Sequence, residues 1–167
     1  IHEATGVQVT LSRRFFNNRI PIFQFGIFYE DDLEFHPGPR FDFGGRIHSN
    51  GSIFLAANTR PNFSSKVTAH DHIFTDVQKN DFPWSNWGDQ VYIMDASGVF
   101  RRLFSNEGSV LKTVPNGSPV TDNPLPTTYR NANWETVQAR YQGNLLAYQK
   151  TLELPIKLNA NINGNPV

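Results

Sequence analysis

The sequence contains no cysteine and a single methionine in 167 residues. Without thiols it has no disulfide framework, no thiolate metal site and no cysteine nucleophile. A chain of this length buries enough surface to fold without such staples. It also lacks an excess of charge of either sign, since 15 acidic and 15 basic side chains cancel. The bases stand singly or in pairs, such as Arg13-Arg14 and Arg101-Arg102. Nucleic-acid binding rests on a basic stripe that neutralises phosphates, so no nucleic-acid partner is expected. Polybasic contact with a membrane is unsupported for the same reason. No apolar run reaches the length of a membrane span or a signal-peptide core. The sequence opens on Ile1 and closes on "NINGNPV". It therefore reads as part of a longer chain, with room for an upstream targeting or anchoring segment.

What fills the gap is aromatic and turn-forming. There are 14 Phe, 12 Gly and 11 Pro, with abundant Asn, Ser and Thr. Phe, Val and Ile suit strands, while Gly, Pro and Asn suit the corners between them. The composition predicts one β-rich domain over 1–167, built from many short strands.

Val7, Leu11 and Phe15 recur at helical spacing and predict an N-terminal helix ending at Asn17-Asn18. Phe23, Phe25, Ile27 and Tyr29 then alternate with Gln24, Gly26 and Phe28, a strand pattern. The central feature is an internal echo. "GRIHSNGSIF" (45–54) aligns with "SKVTAHDHIF" (65–74) at an offset of 20 residues. Arg46 matches Lys66, Ile47 matches Val67, Ile53 matches Ile73, and Phe54 matches Phe74. Each copy reads strand, polar turn, strand. Asn50-Gly51 fits a turn whose φ is positive. A period near 20 suits a β-solenoid-like stack of short strands, with "GDQVYIMDASGVF" (88–100) as a degenerate third copy or an ordinary hairpin. The alternative is a β-sandwich containing two unrelated hairpins. Residues 105–128, centred on "TVPNGSPVTDNPLPTT", read as a long loop or arm. Trp134, Val137, Tyr141 and Leu145 share a helical face, with Asn133 as N-cap, and predict one C-terminal amphipathic helix. "LELPIKLNANING" alternates again and reads as a closing strand.

Few residues promise chemistry. His70 and His72 flank Asp71, and imidazoles with a carboxylate are ordinary metal ligands. On a strand the two rings would lie about 7 Å apart on one side. No recognised ligand spacing accompanies them, so they remain candidates beside a reading as turn histidines. The acids of "YEDDLEF" (Glu30, Asp31, Asp32, Glu34) sit too close together for the facing carboxylates of glycoside hydrolysis. They read as a solvated turn. Ser49 follows His48, but no nucleophile elbow surrounds it. No catalytic residue and no cofactor emerges. Phe82, Trp84 and Trp87, clustered in "NDFPWSNWGDQ", are ligand-binding candidates that could stack on sugar rings or a partner protein, or else plug the end of a β stack. His48, Asn50 and Gly51 read as structural corner residues.

"IPIFQFGIFYEDDLEFHPGPRFDFGGRIHSNGSIFL" (20–55) resembles a segment of bacterial PilX-like, type IV pilus-related surface proteins. The shared pattern is "IPxFQFxxFY…DLE…PGP…GxxHSNG". Ile20, Pro21, Phe23, Gln24, Phe25, Phe28, Tyr29, Asp32, Leu33, Glu34, Pro37, Gly38, Gly45, His48, Ser49, Asn50 and Gly51 carry it. The resemblance covers about a quarter of the chain and implies a pilin-like apolar helix upstream, an extracellular or cell-surface location and a role in assembly. The expectation is thus a non-enzymatic structural or interaction domain whose partners are copies of itself or other surface subunits. The alternative is a carbohydrate-binding or carbohydrate-active β-solenoid, with a glycan as partner.

Overall fold

The computed structural model describes residues 12, 25–57, 59–75, 78–79, 91–111 and 130–153. The chain divides into two compact units, Ile22–Leu154 and Ile1–Pro21 with Pro155–Val167, and all described residues except Ser12 belong to the first. The predicted N-terminal helix, Phe82, Trp84, Trp87, positions 112–128 of the predicted arm and positions 154–164 of the predicted closing strand lie outside the described residues, and Leu152 and Glu153 are not in a strand.

The 20-residue echo is the pairing register of the strands. The first pass of the chain forms β1 (Phe25–Tyr29), β2 (Leu33–Phe35) and β3 (Phe41–Phe43). The second forms β4 (Arg46–Ser49), β5 (Ile53–Leu55) and β6 (Pro61–Phe63). The third forms β7 (Val67–Ala69), β8 (Ile73–Phe74) and β9 (Val91–Met94). Each strand pairs in parallel with its counterpart one pass away, so β1-β4-β7, β2-β5-β8 and β3-β6-β9 run through three separate sheets. Ile47 pairs with Val67, Ile53 with Ile73 and Phe54 with Phe74, the residues that match in sequence. β4 and β5 belong to different sheets, so each echo is a bend between sheets rather than a hairpin.

Parallel pairing in register stacks like on like. Ile27, Ile47, Val67 and Leu145 form one apolar column. Ile47, Ile53, Phe63, Val67, Ile73 and Ile93 are at most 1% exposed and meet in one cluster between the sheets. Inward and outward positions alternate, as the pleat demands. Phe54 and Phe74 therefore leave that cluster and stack on each other, with centroids 4.5 Å apart and planes within 6°.

The third pass departs from the period because the chain between β8 and β9 is longer. β9 nevertheless keeps the register of β6, pairing Asn62 with Tyr92 and Phe63 with Ile93. It also forms an antiparallel hairpin with β10 (Phe100–Leu103). Of the two readings of "GDQVYIMDASGVF", its described part is the hairpin: a third copy of the echo would set Val91–Met94 beside β7 and Phe100 beside β8, whereas β9 lies beside β6 and β10 beside β9. Asp95 holds its turn: Oδ1 accepts the Ser97 hydroxyl and the Ser97 and Val99 amides, and Oδ2 accepts Arg101 Nε at 2.8 Å. These bonds, that from the Ser97 hydroxyl first, hold the carboxyl well below the usual carboxylate range.

The described start of the predicted arm, 105–111, consists of turns and bends and packs against β8, burying Ser109 and Val110. Ser109 donates its amide to Ile73 O and accepts the Ile73 amide on Oγ, both at 2.8 Å, which extends the edge of β8. Gly108 must lack a side chain there, because a Cβ would stand 2.6 Å from Ile73 O. The helix α1 (Trp134–Arg140) buries Trp134 and Val137 as expected. Its cap differs. Asn133 makes no capping bond, and Asn131 accepts the Asn133 amide on Oδ1 and the Trp134 amide on its carbonyl. α1 stops at Arg140 and Gly143 takes φ 88°, so Leu145 leaves the helix and opens β11 (Leu145–Leu146), paired in parallel with β7. The described chain is mainly β, three sheets of short strands and one short helix. No described helix is long and apolar enough to cross a membrane.

Candidate functional site

The bend between the first and second strand of each pass brings most of the candidate residues to one corner. Positions 20 apart stack there, giving the columns Glu30–Asn50–His70, Asp31–Gly51–Asp71 and Asp32–Ser52–His72. Asn50 Nδ2 donates to Glu30 Oε2 at 2.8 Å, and the Ser52 amide donates to Asp32 Oδ1 at 2.7 Å. The Asp71 amide donates to Gly51 O at 3.2 Å. Three of the four acids of "YEDDLEF" are thus engaged: Glu30 by Asn50, Asp32 also by Lys79 at 2.9 Å, and Glu34, on β2, by the Lys79 amide.

Gly51 serves this corner for a reason other than the expected one. Its φ is not positive, a conformation found only at Gly45, Gly98 and Gly143 among the described glycines. A Cβ at Gly51 would lie 2.5 Å from Asp32 Oδ1 and 2.8 Å from the backbone of Asp31 and Asp32. Closeness of the stacked passes, not handedness, demands glycine.

His70 and His72 also depart from the sequence expectation. Residues 70–72 form the bend between β7 and β8, so the period-two geometry of a strand does not apply to them. His70 Nδ1 contacts Gln149 O at 2.5 Å, and its Nε2 lies 3.8 Å from Asp71 Oδ1. His72 packs edge-on against Phe74 and Tyr148. Among the described residues no group of three or more His, Cys, Asp or Glu side chains is placed to share a metal ion.

His48 is buried, although its alternation places it on the outer face of its sheet, beside Phe28 and Thr68. Phe28 stacks on the ring at 5.9 Å. What covers this corner is residues 147–153, a strap that leaves β11 and turns back over the bends. Tyr148 makes the reversal at φ 60°, a conformation costly for a side chain with a Cβ. The Tyr148 amide donates to Asp71 O, and the Gln149 amide to Ala69 O. Asn50 then grips Leu152 at both ends: the Leu152 amide donates to Asn50 Oδ1 at 2.8 Å, and Nδ2 donates to Leu152 O at 2.9 Å.

This grip fixes the His48 tautomer. Asn50 Oδ1 accepts, so Nε2 carries the proton and donates to it at 3.1 Å. Nδ1 of the neutral ring then accepts the Thr68 hydroxyl at 2.7 Å. Burial, more than any other cause, depresses the affinity of the ring for a second proton, and His70 adds to the effect, while Asn50 and Glu30 oppose it. Ser49 is no nucleophile in this setting: it is fully buried, donates to Asp31 O and accepts the Gly51 amide.

Beside the strap lies a groove of about 180 Å³, lined by Phe25, Arg46, His48, Lys66, Thr68, Gln149, Lys150 and Leu152. The basic lining and the strap were not read from the sequence. Only the match of Arg46 to Lys66 hinted at the first, and nothing local hints at a contact between residues 50 and 152. No protein-family model, curated protein or solved structure matches the chain.

Proposed function

We propose that the chain is a β-solenoid-like, non-enzymatic structural and interaction domain of an extracellular, pilus-like or cell-surface assembly, associating with copies of itself or with related subunits. The observation that carries this reading is the edge of the first pass. β1, β2 and β3 each have one strand neighbour among the described residues, β4, β5 and β6, so three parallel edges lie at the same end of the stack. The residues there are apolar and incompletely covered. Tyr29 is 48% and Phe41 38% exposed, and Ile27, Leu33, Phe35 and Phe43 are only partly buried. Unpaired edges with apolar side chains are templates for pairing, and stacked repeats need their ends covered. Two such ends meeting face to face would close a two-fold dimer, because at the other end of the stack β7 pairs with β11, β9 with β10, and Ser109 bonds to β8. The resemblance of 20–55 to PilX-like proteins accords with this role.

Light scattering across a hundredfold range of protein concentration tests the reading. Dimers that dissociate in a Tyr29→Lys, Phe41→Lys variant of unchanged circular dichroism are expected. A protein that stays monomeric throughout would overturn it.

A further inference from the structure

The groove beside the strap is not used by the self-association reading, and it has an unusual composition. Arg46 and Lys66 occupy the same position on neighbouring passes, where the Ile47 amide donates to Lys66 O at 2.8 Å. Lys150 is brought to the same groove by the strap. Like charges on adjacent strands weaken a sheet. Lys66 and Lys150 make no ion pair among the described residues, and no described acid lines the groove. A concavity lined by one sign of charge focuses its field on whatever enters. Between the cationic heads the lining is mostly apolar, from Phe25, Leu152 and the aliphatic stems of the bases.

We propose that this groove binds the acidic residue of a saccharide, a compact sugar ring bearing one carboxylate, with Lys66 and Lys150 holding the anion and Phe25 and Leu152 contacting the ring. Its volume of about 180 Å³ limits the occupant to something smaller than the ligands of ordinary 300–1,000 Å³ pockets. An acidic peptide fits less well. The groove lies on the face of β4 and β7, whose backbone groups already pair within the sheet, so a peptide main chain finds no free edge to extend. The inference does not depend on self-association.

Titration calorimetry and ligand-observed NMR of the whole chain with galacturonate, galactose and acetate test it. Galacturonate is expected to bind at 20 mM salt and to weaken at least fivefold at 300 mM, as the Debye length shortens. Galactose and acetate should each bind at least tenfold more weakly. The Lys66→Gln, Lys150→Gln variant should lose binding tenfold or more, while a charge-matched Arg40→Gln, Arg60→Gln variant, whose bases lie by Asp42, Asn62 and Tyr92, keeps it. Thermal melts of both variants establish that they fold. No binding of galacturonate, acetate binding as tightly as galacturonate, or equal loss in the two variants would each overturn the proposal. So would an acidic peptide that binds at this groove more tightly than the sugar.

Discussion

Asn50 and Leu152, 102 residues apart, face each other as two strand residues do, except that one partner is a side chain. The amide of Asn50 gives and takes one hydrogen bond with the same backbone residue, at 2.9 and 2.8 Å. Only Asn or Gln carries a donor and an acceptor in this arrangement, and Gln is a methylene too long. The bond pair is what ties the strap to the second pass. Asn50→Ala should therefore cost about 1–3 kcal/mol, because the His48 Nε2–H and the Leu152 backbone lose their partner together. Hydrogen exchange at the Leu152 amide should accelerate more than exchange at the core amides of Ile47 or Val67. Asn50→Asp keeps the acceptor, loses the donor and sets a carboxylate against Glu30, so it should be no milder than Asn50→Ala. Uniform acceleration across all amides would show that the strap is not a separable unit.

Beneath that contact, His48 makes stability depend on pH in a defined direction. Burial lowers the pKa of its ring below the ordinary 6.5, so the unfolded chain binds the proton more readily than the folded one. Stability should be fully present above pH 6.5 and fall as the pH drops from there toward the folded value. One proton limits the slope to about 1.4 kcal/mol per pH unit. The strap need not release when the ring charges, since Thr68 Oγ1 can turn its proton to Ile47 O, 3.1 Å away, and accept from Nδ1–H. Urea denaturation from pH 8 to 5 should show the decline, and His48→Gln should flatten it. A decline that survives in His48→Gln would assign the effect to another group.

How much of this was legible follows from how far apart the interacting residues are. The offset of 20 could be read because parallel passes place similar residues at equivalent positions, and Ile47, Val67, Ile53 and Ile73 are all strand formers. The first pass is hard to read because its match to the second is loose: Leu33 answers Ile53, but Phe41 answers Pro61 and Phe28 answers His48. Asn50 lies in the bend, but His48 belongs to strand β4 and its ring bonds to the Thr68 and Asn50 side chains, while the need for glycine at position 51 could not be read, since a crowded Cβ site leaves no trace in a dipeptide. The strap and the basic groove depend on a chain reversal at Tyr148, which no local pattern announces. The end of the amphipathic helix was missed for a related reason. Leu145 keeps helical spacing from Tyr141, but Gly143 turns the chain and β7 captures Leu145 instead.

Phe54 and Phe74 test whether the passes support one another through their side chains. The two rings are nearly parallel at 4.5 Å, and both are buried outside the main apolar cluster. Each Phe→Leu change alone should destabilise the protein. In a double-mutant cycle the pair should show a favourable coupling of about 0.5–1.5 kcal/mol, the range of aromatic pairs beyond their area. A coupling near zero would mean that the rings are neighbours of convenience and that burial alone accounts for them.

Two glycines separate the demand for space from the demand for conformation. Neither Gly51 nor Gly38 has positive φ, so alanine fits the backbone of both. Around Gly38 nothing lies within 4 Å of a Cβ, whereas at Gly51 the Cβ meets Asp32 Oδ1 at 2.5 Å and backbone atoms of Asp31 and Asp32 at 2.8 Å. Side chains can move aside, but backbone in the neighbouring pass cannot do so without breaking the bond from the Ser52 amide to Asp32. Gly51→Ala should thus cost about 1–3 kcal/mol, as overpacking does. Gly38→Ala should be neutral or stabilise by up to about 1 kcal/mol, because it restricts only the unfolded chain. Equilibrium denaturation of both variants separates the cases, and a Gly51→Ala protein as stable as the parent would show that the corner passes are less tightly stacked than the 2.8 Å contacts require.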